Sequence, residues 1–268
     1  MRKDFEALET QYSNVRKAAR RQFSEECSLL DELMAASFSF YYRLAGTGRL
    51  DEKKQHLAAL FYRNCIYLSG AYQLVLKGML DPAGNNMRTV FETIVWQYAY
   101  LTEEEAYHVF RELSGLEAEK ISLLSKGEWS NTRERRLQNL RRKQSLQKAM
   151  KRLYSKDTYE KFFNNKYWIL CQKSHSSLFG TNYNTPTMEG LGTMKKNPGE
   201  MRGMLLALLY LGAENLLCFL NCLSGDAPEG VRSAAVGLSN RINQKLGPEP
   251  SLVPDARQLE FTTRLREL

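Results

Sequence analysis

Apolar residues recur at three- and four-residue spacing along almost the whole chain, and no stretch sustains the strict alternation of a half-buried strand. The pattern predicts helices over 2–20, 23–45, 51–79, 83–101, 103–126, 132–153, 157–178, 200–224 and 228–246. Glycine and proline punctuate them: Gly46-Thr-Gly48 closes the second helix, Asp81-Pro82-Ala83-Gly84 separates the third from the fourth, and Pro228 opens the ninth. The gap from Gly180 to Gly199 holds four glycines and two prolines with little periodicity, the composition of a long connector or lid. The expected fold is therefore all-α, a multi-helix bundle of about nine helices with one long Gly/Pro-containing loop over 180–199. Its organisation reads as an N-terminal helical arm (1–50), a main bundle (51–246) that includes a basic helix at 132–153, and a Pro-containing tail (247–268).

Gly203 to Leu223 is apolar for the length of a bilayer span, but Glu214, Asn215 and Asn221 interrupt it. An ionisable group at mid-depth is costly in lipid, whereas a central helix enclosed by others is apolar all round for ordinary reasons. The expectation is a buried bundle helix and no membrane. The charged start, Met1-Arg-Lys-Asp-Phe-Glu, lacks the apolar run of a secretory leader and points to a cytoplasmic chain. Five cysteines, mostly inside apolar patterns and without metal or redox spacing, read as reduced buried thiols.

Charge changes the picture in one place. The chain of 268 residues carries 38 Lys and Arg against 30 Asp and Glu, a formal charge of +8. Arg133 to Arg152 alone holds nine bases against the single acid Glu134, and the rest balances at 29 against 29. A localised positive strip on helix-forming sequence suggests a polyanionic partner, RNA being the usual candidate, met through phosphates by Arg133, Arg135, Arg136, Arg141, Arg142 and Lys143. The same strip also fits a solvated helix face, because it lacks the interleaved aromatics that stack on single strands. Its leucines fall on two sides, Leu137 and Leu140 opposite Leu146 and Leu153, so the helix either breaks near Gln144 or touches two surfaces.

Motifs for phosphate loops, dinucleotide binding, metalloproteases and serine hydrolases are absent. With three histidines on three predicted helices, no metal and no cofactor is expected. Two polar constellations remain. Arg88 and Glu92, four apart, border the apolar stripe of Met87, Val90, Phe91, Ile94 and Tyr98. Tyr167 lies in the stripe of the 157–178 helix with His175 at its edge. Together, Arg88, Glu92, Tyr167 and His175 offer a cation, a carboxylate and proton-transfer groups as a candidate catalytic set. Singly, an Arg-Glu pair ties helices together and a helix-edge histidine is a core residue.

The Arg88-x-x-x-Glu92 helix followed by Tyr167-x-x-Leu170-Cys171-x-x-x-His175 resembles a set of uncharacterised bacterial all-helical families and, more broadly, the HEPN-type helical domains of defence and toxin systems, over about residues 55 to 225. The resemblance implies a homodimer and a ribonuclease in which an Arg-x(4–6)-His motif at the dimer interface polarises the ribose 2′-OH and the scissile phosphate. The matching spacing here, Arg49 to His56, falls across a loop and a helix start instead of mid-helix. Two readings follow. One is an HEPN-like protein that binds RNA or another polyanion, with nuclease activity in a defence or stress system as its enzymatic form. The other is a non-enzymatic interaction or small-ligand-binding helical protein with a structural Arg/Glu/His network.

Overall fold

The computed structural model describes residues 2–45, 50–167, 198–223, 227–247 and 252. These residues form an all-α fold without a strand among them, in two compact units.

The first unit takes Met1–Thr93 and Lys161–Ser251. It contains α1 (Arg2–Gln22), α2 (Ser24–Ala45), α3 (Glu52–Leu76), the first part of α4 (Leu80–Thr102), a π-helical turn (Lys161–Tyr167), α9 (Pro198–Leu223) and α10 (Glu229–Leu246). α9 is the apolar segment noted above. It is long and apolar enough to cross a bilayer, and 78% of its most apolar window is buried within the protein, against α2, α3 and α10. Phe219 of α9 stacks on Phe61 of α3, ring centroids 3.9 Å apart and planes within 6°. Gly212 meets α2 so closely that a methyl there would overlap the buried Leu33, which is why this point of α9 carries no side chain. Asn64 donates to Asn215 at 2.8 Å, and both are fully enclosed. Asn215, one of the polar residues that interrupt α9, therefore serves its packing on α3. Cys65 lies beside this pair, and burial pushes its thiol up to about 12, so it stays protonated and unreactive. α1 and α2, expected as an arm over 1–50, are part of this unit and pack on α3, with α2 also on α9.

The Asp81-Pro82-Ala83-Gly84 stretch does not separate helices; α4 begins at Leu80 and runs through it. In the first turn an N–H has no intrahelical acceptor, so proline loses nothing there. The chain turns earlier, at Lys77–Met79, where Gly78 takes φ 77°. α3 starts where expected, Asp51 accepting from the backbone of Lys54 at 2.8 Å as N-cap.

The second unit takes Ile94–Glu160 and Leu252–Leu268. It holds the rest of α4, then α5 (Glu104–Leu124), α6 (Asn131–Lys143), α7 (Leu146–Leu153) and α8 (Lys156–Glu160). α5 and α6 pair through Leu113, Leu116, Leu137 and Leu140, with Val109 and Trp129 against them. The expected helix over 132–153 is two: it breaks at Gln144-Ser145, and Ser145 caps α7. The two leucine faces point apart, and the break lets α6 bury Leu137 and Leu140 while α7 separately buries Ala149, Met150 and Leu153. The expected 157–178 helix becomes α8 and the π-helical turn up to Tyr167; its remainder, and the loop over 180–199 before Pro198, lie outside the described residues.

Candidate functional site

Arg88, Phe91 and Glu92 sit on one edge of α4, and the π-helical turn brings Tyr167 to them. Its wider winding places Phe162 and Tyr167, five apart, on the same side. Both rings meet Phe91, at 6.1 and 5.5 Å, while Phe163 flanks Tyr167 at 5.5 Å. Held between those rings, the Tyr167 hydroxyl donates to Glu92 Oε1 at 2.8 Å. Arg88 Nε donates to the same oxygen at 2.7 Å, and its Nη2 lies 3.4 Å from the Tyr167 oxygen. The guanidinium also faces the Tyr167 ring at 5.6 Å. Arg88 and Glu92 keep 26% and 33% of their side-chain surface, so the cluster is half-buried and reachable. Three of the four candidate catalytic residues thus come together, and the fourth, His175, lies outside the described residues.

The basic strip is reshaped by its neighbours on α5. Arg133, Arg136 and Arg141 pair with Glu119, Glu112 and Glu117 at 3.1, 2.6 and 3.0 Å. Arg152 of α7 pairs with Glu103 at 2.9 Å. Half of the six residues assigned to polyanion contact are therefore engaged in holding α6 to α5. Arg135, Arg142, Lys143 and, on α7, Lys148 are exposed and make no ion pair among the described residues. Arg135 and Arg142 are seven apart, so they share one face of α6.

Glu134, the one acid of the strip, accepts from Lys120 at 2.6 Å, Gln138 at 2.8 Å and the Trp129 indole at 2.9 Å. Those donors, Lys120 first, hold its carboxyl down at about 2. A carboxyl lowered on folding contributes stability above its ordinary range near 4.5, and that contribution disappears as pH falls toward 2. Native protein is accordingly expected to weaken the Trp129–Glu134 contact only as the pH is lowered to about 2, well below the ordinary carboxyl range, a change absent in Glu134→Gln. The Trp129 indole N–H resonance reports it, and identical acid profiles in the two proteins would contradict the assignment.

Sequence reasoning missed a third cluster. Glu26 is buried where α2 begins, accepts from Arg202 of α9 at 3.0 Å and lies 3.7 Å from Lys245 of α10. Burial alone would raise its pKa, but backbone and Arg202 hydrogen bonds and the Lys245 charge outweigh it and keep the carboxyl ionised. The signal was present: Glu26 occupies a position in the Phe23, Cys27, Leu30 stripe, where a charge needs a partner. These residues border an open cleft of about 460 Å³ whose charges neutralise one another. Among the described residues no three His, Cys, Asp or Glu side chains converge as a metal site would require.

No family model, curated protein or solved structure matches the chain.

Proposed function

We propose that the chain binds RNA or another polyanion through the solvent-facing side of α6 and α7, contacting phosphates without reading bases. The observation that carries this is that Arg135, Arg142, Lys143 and Lys148 stay exposed and outside ion pairs while four neighbouring arginines are taken up by acids. Cations tied to carboxylates in the same unit have little left to offer a phosphate; unpaired exposed ones displace condensed counterions when they dock. Four such contacts imply a loss of affinity of about a hundredfold between roughly 50 and 200 mM salt, read by fluorescence anisotropy of a labelled RNA duplex. Salt-independent binding, or none at low salt, would remove the reading.

Nuclease chemistry, the enzymatic form of the HEPN resemblance, asks for a base free to take a hydroxyl proton. One oxygen of Glu92 already accepts from both Arg88 and Tyr167, whose ring is clamped by Phe91 and Phe163. This favours the second reading of that cluster, a strut that fixes the π-helical turn on α4. As a strut, Glu92→Gln costs about 1 kcal/mol of unfolding free energy, and Arg88→Met with Glu92→Leu costs less than the sum of the single changes. Thermal unfolding of the singles and the double measures this. Strict additivity, or RNA cleavage that Glu92→Gln abolishes without lowering the melting temperature, would return the cluster to catalysis.

A further inference from the structure

α2 and α3 present an aromatic shelf that the polyanion reading of α6 does not use. Tyr62 of α3 lies at its middle: Tyr41 stacks on it at 4.4 Å, Phe38 meets it edge-on at 5.9 Å, and Tyr42 at 6.1 Å shares a hydroxyl contact of 3.3 Å with it. Of the large hydrophobic side chains left exposed among the described residues, Tyr42 at 61% and Ile66 at 51% both belong to these two helices. Ile66 follows Tyr62 by one turn and so extends the same side of α3.

Charge identifies what such a shelf suits. Neither 33–50 nor 53–80 contains an Asp or Glu. Arg43, next to Tyr42, is exposed and makes no ion pair among the described residues. Arg63, next to Tyr62, is exposed too, its guanidinium 5.4 Å from the Tyr67 ring. An exposed Tyr42 ring backed by half-buried ones, with arginines beside it on stretches of α2 and α3 whose flanking acids in sequence are Glu32, Asp51, Glu52 and Asp81, offers the ingredients of a stacking platform, in which bases lie on rings and phosphates meet cations. A second copy docked two-fold on this face would bring together two patches that each carry Arg43 and Arg63, an accumulation of like charge that a polyanion would instead neutralise.

We propose that this face binds a single-stranded polynucleotide, one or two bases stacking on Tyr42 and its aromatic neighbours while Arg43 and Arg63 hold the flanking phosphates. The site lies in the other unit from α6 and stands or falls separately from the α6–α7 surface.

The test uses the full chain and labelled oligouridine or oligothymidine of about 15 nucleotides, a length within the site sizes of single-strand binders, beside a duplex of equal length. Native protein prefers one or both single strands over the duplex. Tyr42→Leu, which keeps an apolar side chain but removes the ring, weakens single-strand binding roughly tenfold, and Tyr42→Phe, which keeps the ring, leaves it near native. Arg43→Gln with Arg63→Gln flattens its salt dependence by about two slope units. Duplex binding is unchanged throughout, so failure of the α6–α7 reading shows in the native protein's duplex arm, while the stacking site is read from the differences between variants in the single-strand arm. Equal single-strand binding by Tyr42→Leu and Tyr42→Phe overturns the proposal, as does a native protein without single-strand preference. A native dimer that Tyr42→Leu dissociates overturns it as well and assigns the face to a second copy.

Discussion

Replacing Phe219 by alanine is expected to lower the unfolding free energy of the first unit by about 3–5 kcal/mol, among the largest losses a single substitution produces. The ring lies face to face on Phe61, both are at most 1% exposed, and the contact joins α9 to α3 at the centre of the unit. Truncation removes apolar surface and leaves a hole that α2 and α10 cannot close by small shifts, because the interior is packed at crystal density. Phe61→Ala empties the opposite half of the same space. The double variant therefore costs less than the two singles added, since the second truncation enlarges a cavity already present. Denaturant unfolding followed by circular dichroism measures the cycle. A Phe219→Ala cost under about 1 kcal/mol would mean that the stack is not a principal contact of the core.

The second large effect concerns Asn64 and Asn215, the polar pair inside that apolar interface. Asn215→Leu removes the acceptor of the 2.8 Å bond and leaves the Asn64 amide without it in a site closed to water. The expected cost is about 1–3 kcal/mol. Changing both to leucine, close in shape, recovers most of it, because the penalty lies in breaking the pair rather than in lacking one. The buried pair fixes the register of α9 on α3: sliding α9 by one turn would strand both amides. A double variant that unfolds as readily as the single would show that the amides have other indispensable partners.

Helical periodicity made most elements legible, because their faces are apolar enough to declare themselves. Where a boundary moved, the local rule had a tertiary or positional exception. Pro82 looked like a separator and is instead a first-turn residue of α4. The break at Gln144 was legible from the opposed positions of Leu137 and Leu146, although charge continuity through Arg141, Arg142 and Lys143 suggested one basic helix. At the sites, Arg88 with Glu92 could be read because partners four apart on a helix must be neighbours, and Tyr167 was grouped with them from the polar edges of two stripes, whereas the π-helical turn that carries Tyr167 to Glu92 leaves no mark in spacing. The pairing of Arg133, Arg136 and Arg141 with α5 was not legible, since it depends on how two helices dock, 24 residues apart in sequence for the Arg136–Glu112 and Arg141–Glu117 pairs. A run of positive charge in sequence is therefore an upper bound on the positive surface that remains for a partner.

That distinction leads to the most direct measurement of the account: RNA duplex affinity and its salt slope for two variants of equal charge change and different surroundings. One changes Arg135, Arg142, Lys143 and Lys148 to glutamine; the other changes Arg133, Arg136, Arg141 and Arg152. Loss of the first set is expected to flatten the slope by about four units and abolish binding at roughly 200 mM salt, with the fold intact. Loss of the second set is expected to leave the slope within about one unit of native while loosening the packing of α6 on α5. Equal loss of affinity from both sets would contradict the account, because binding would then follow net charge and not the cations that the fold leaves unpaired.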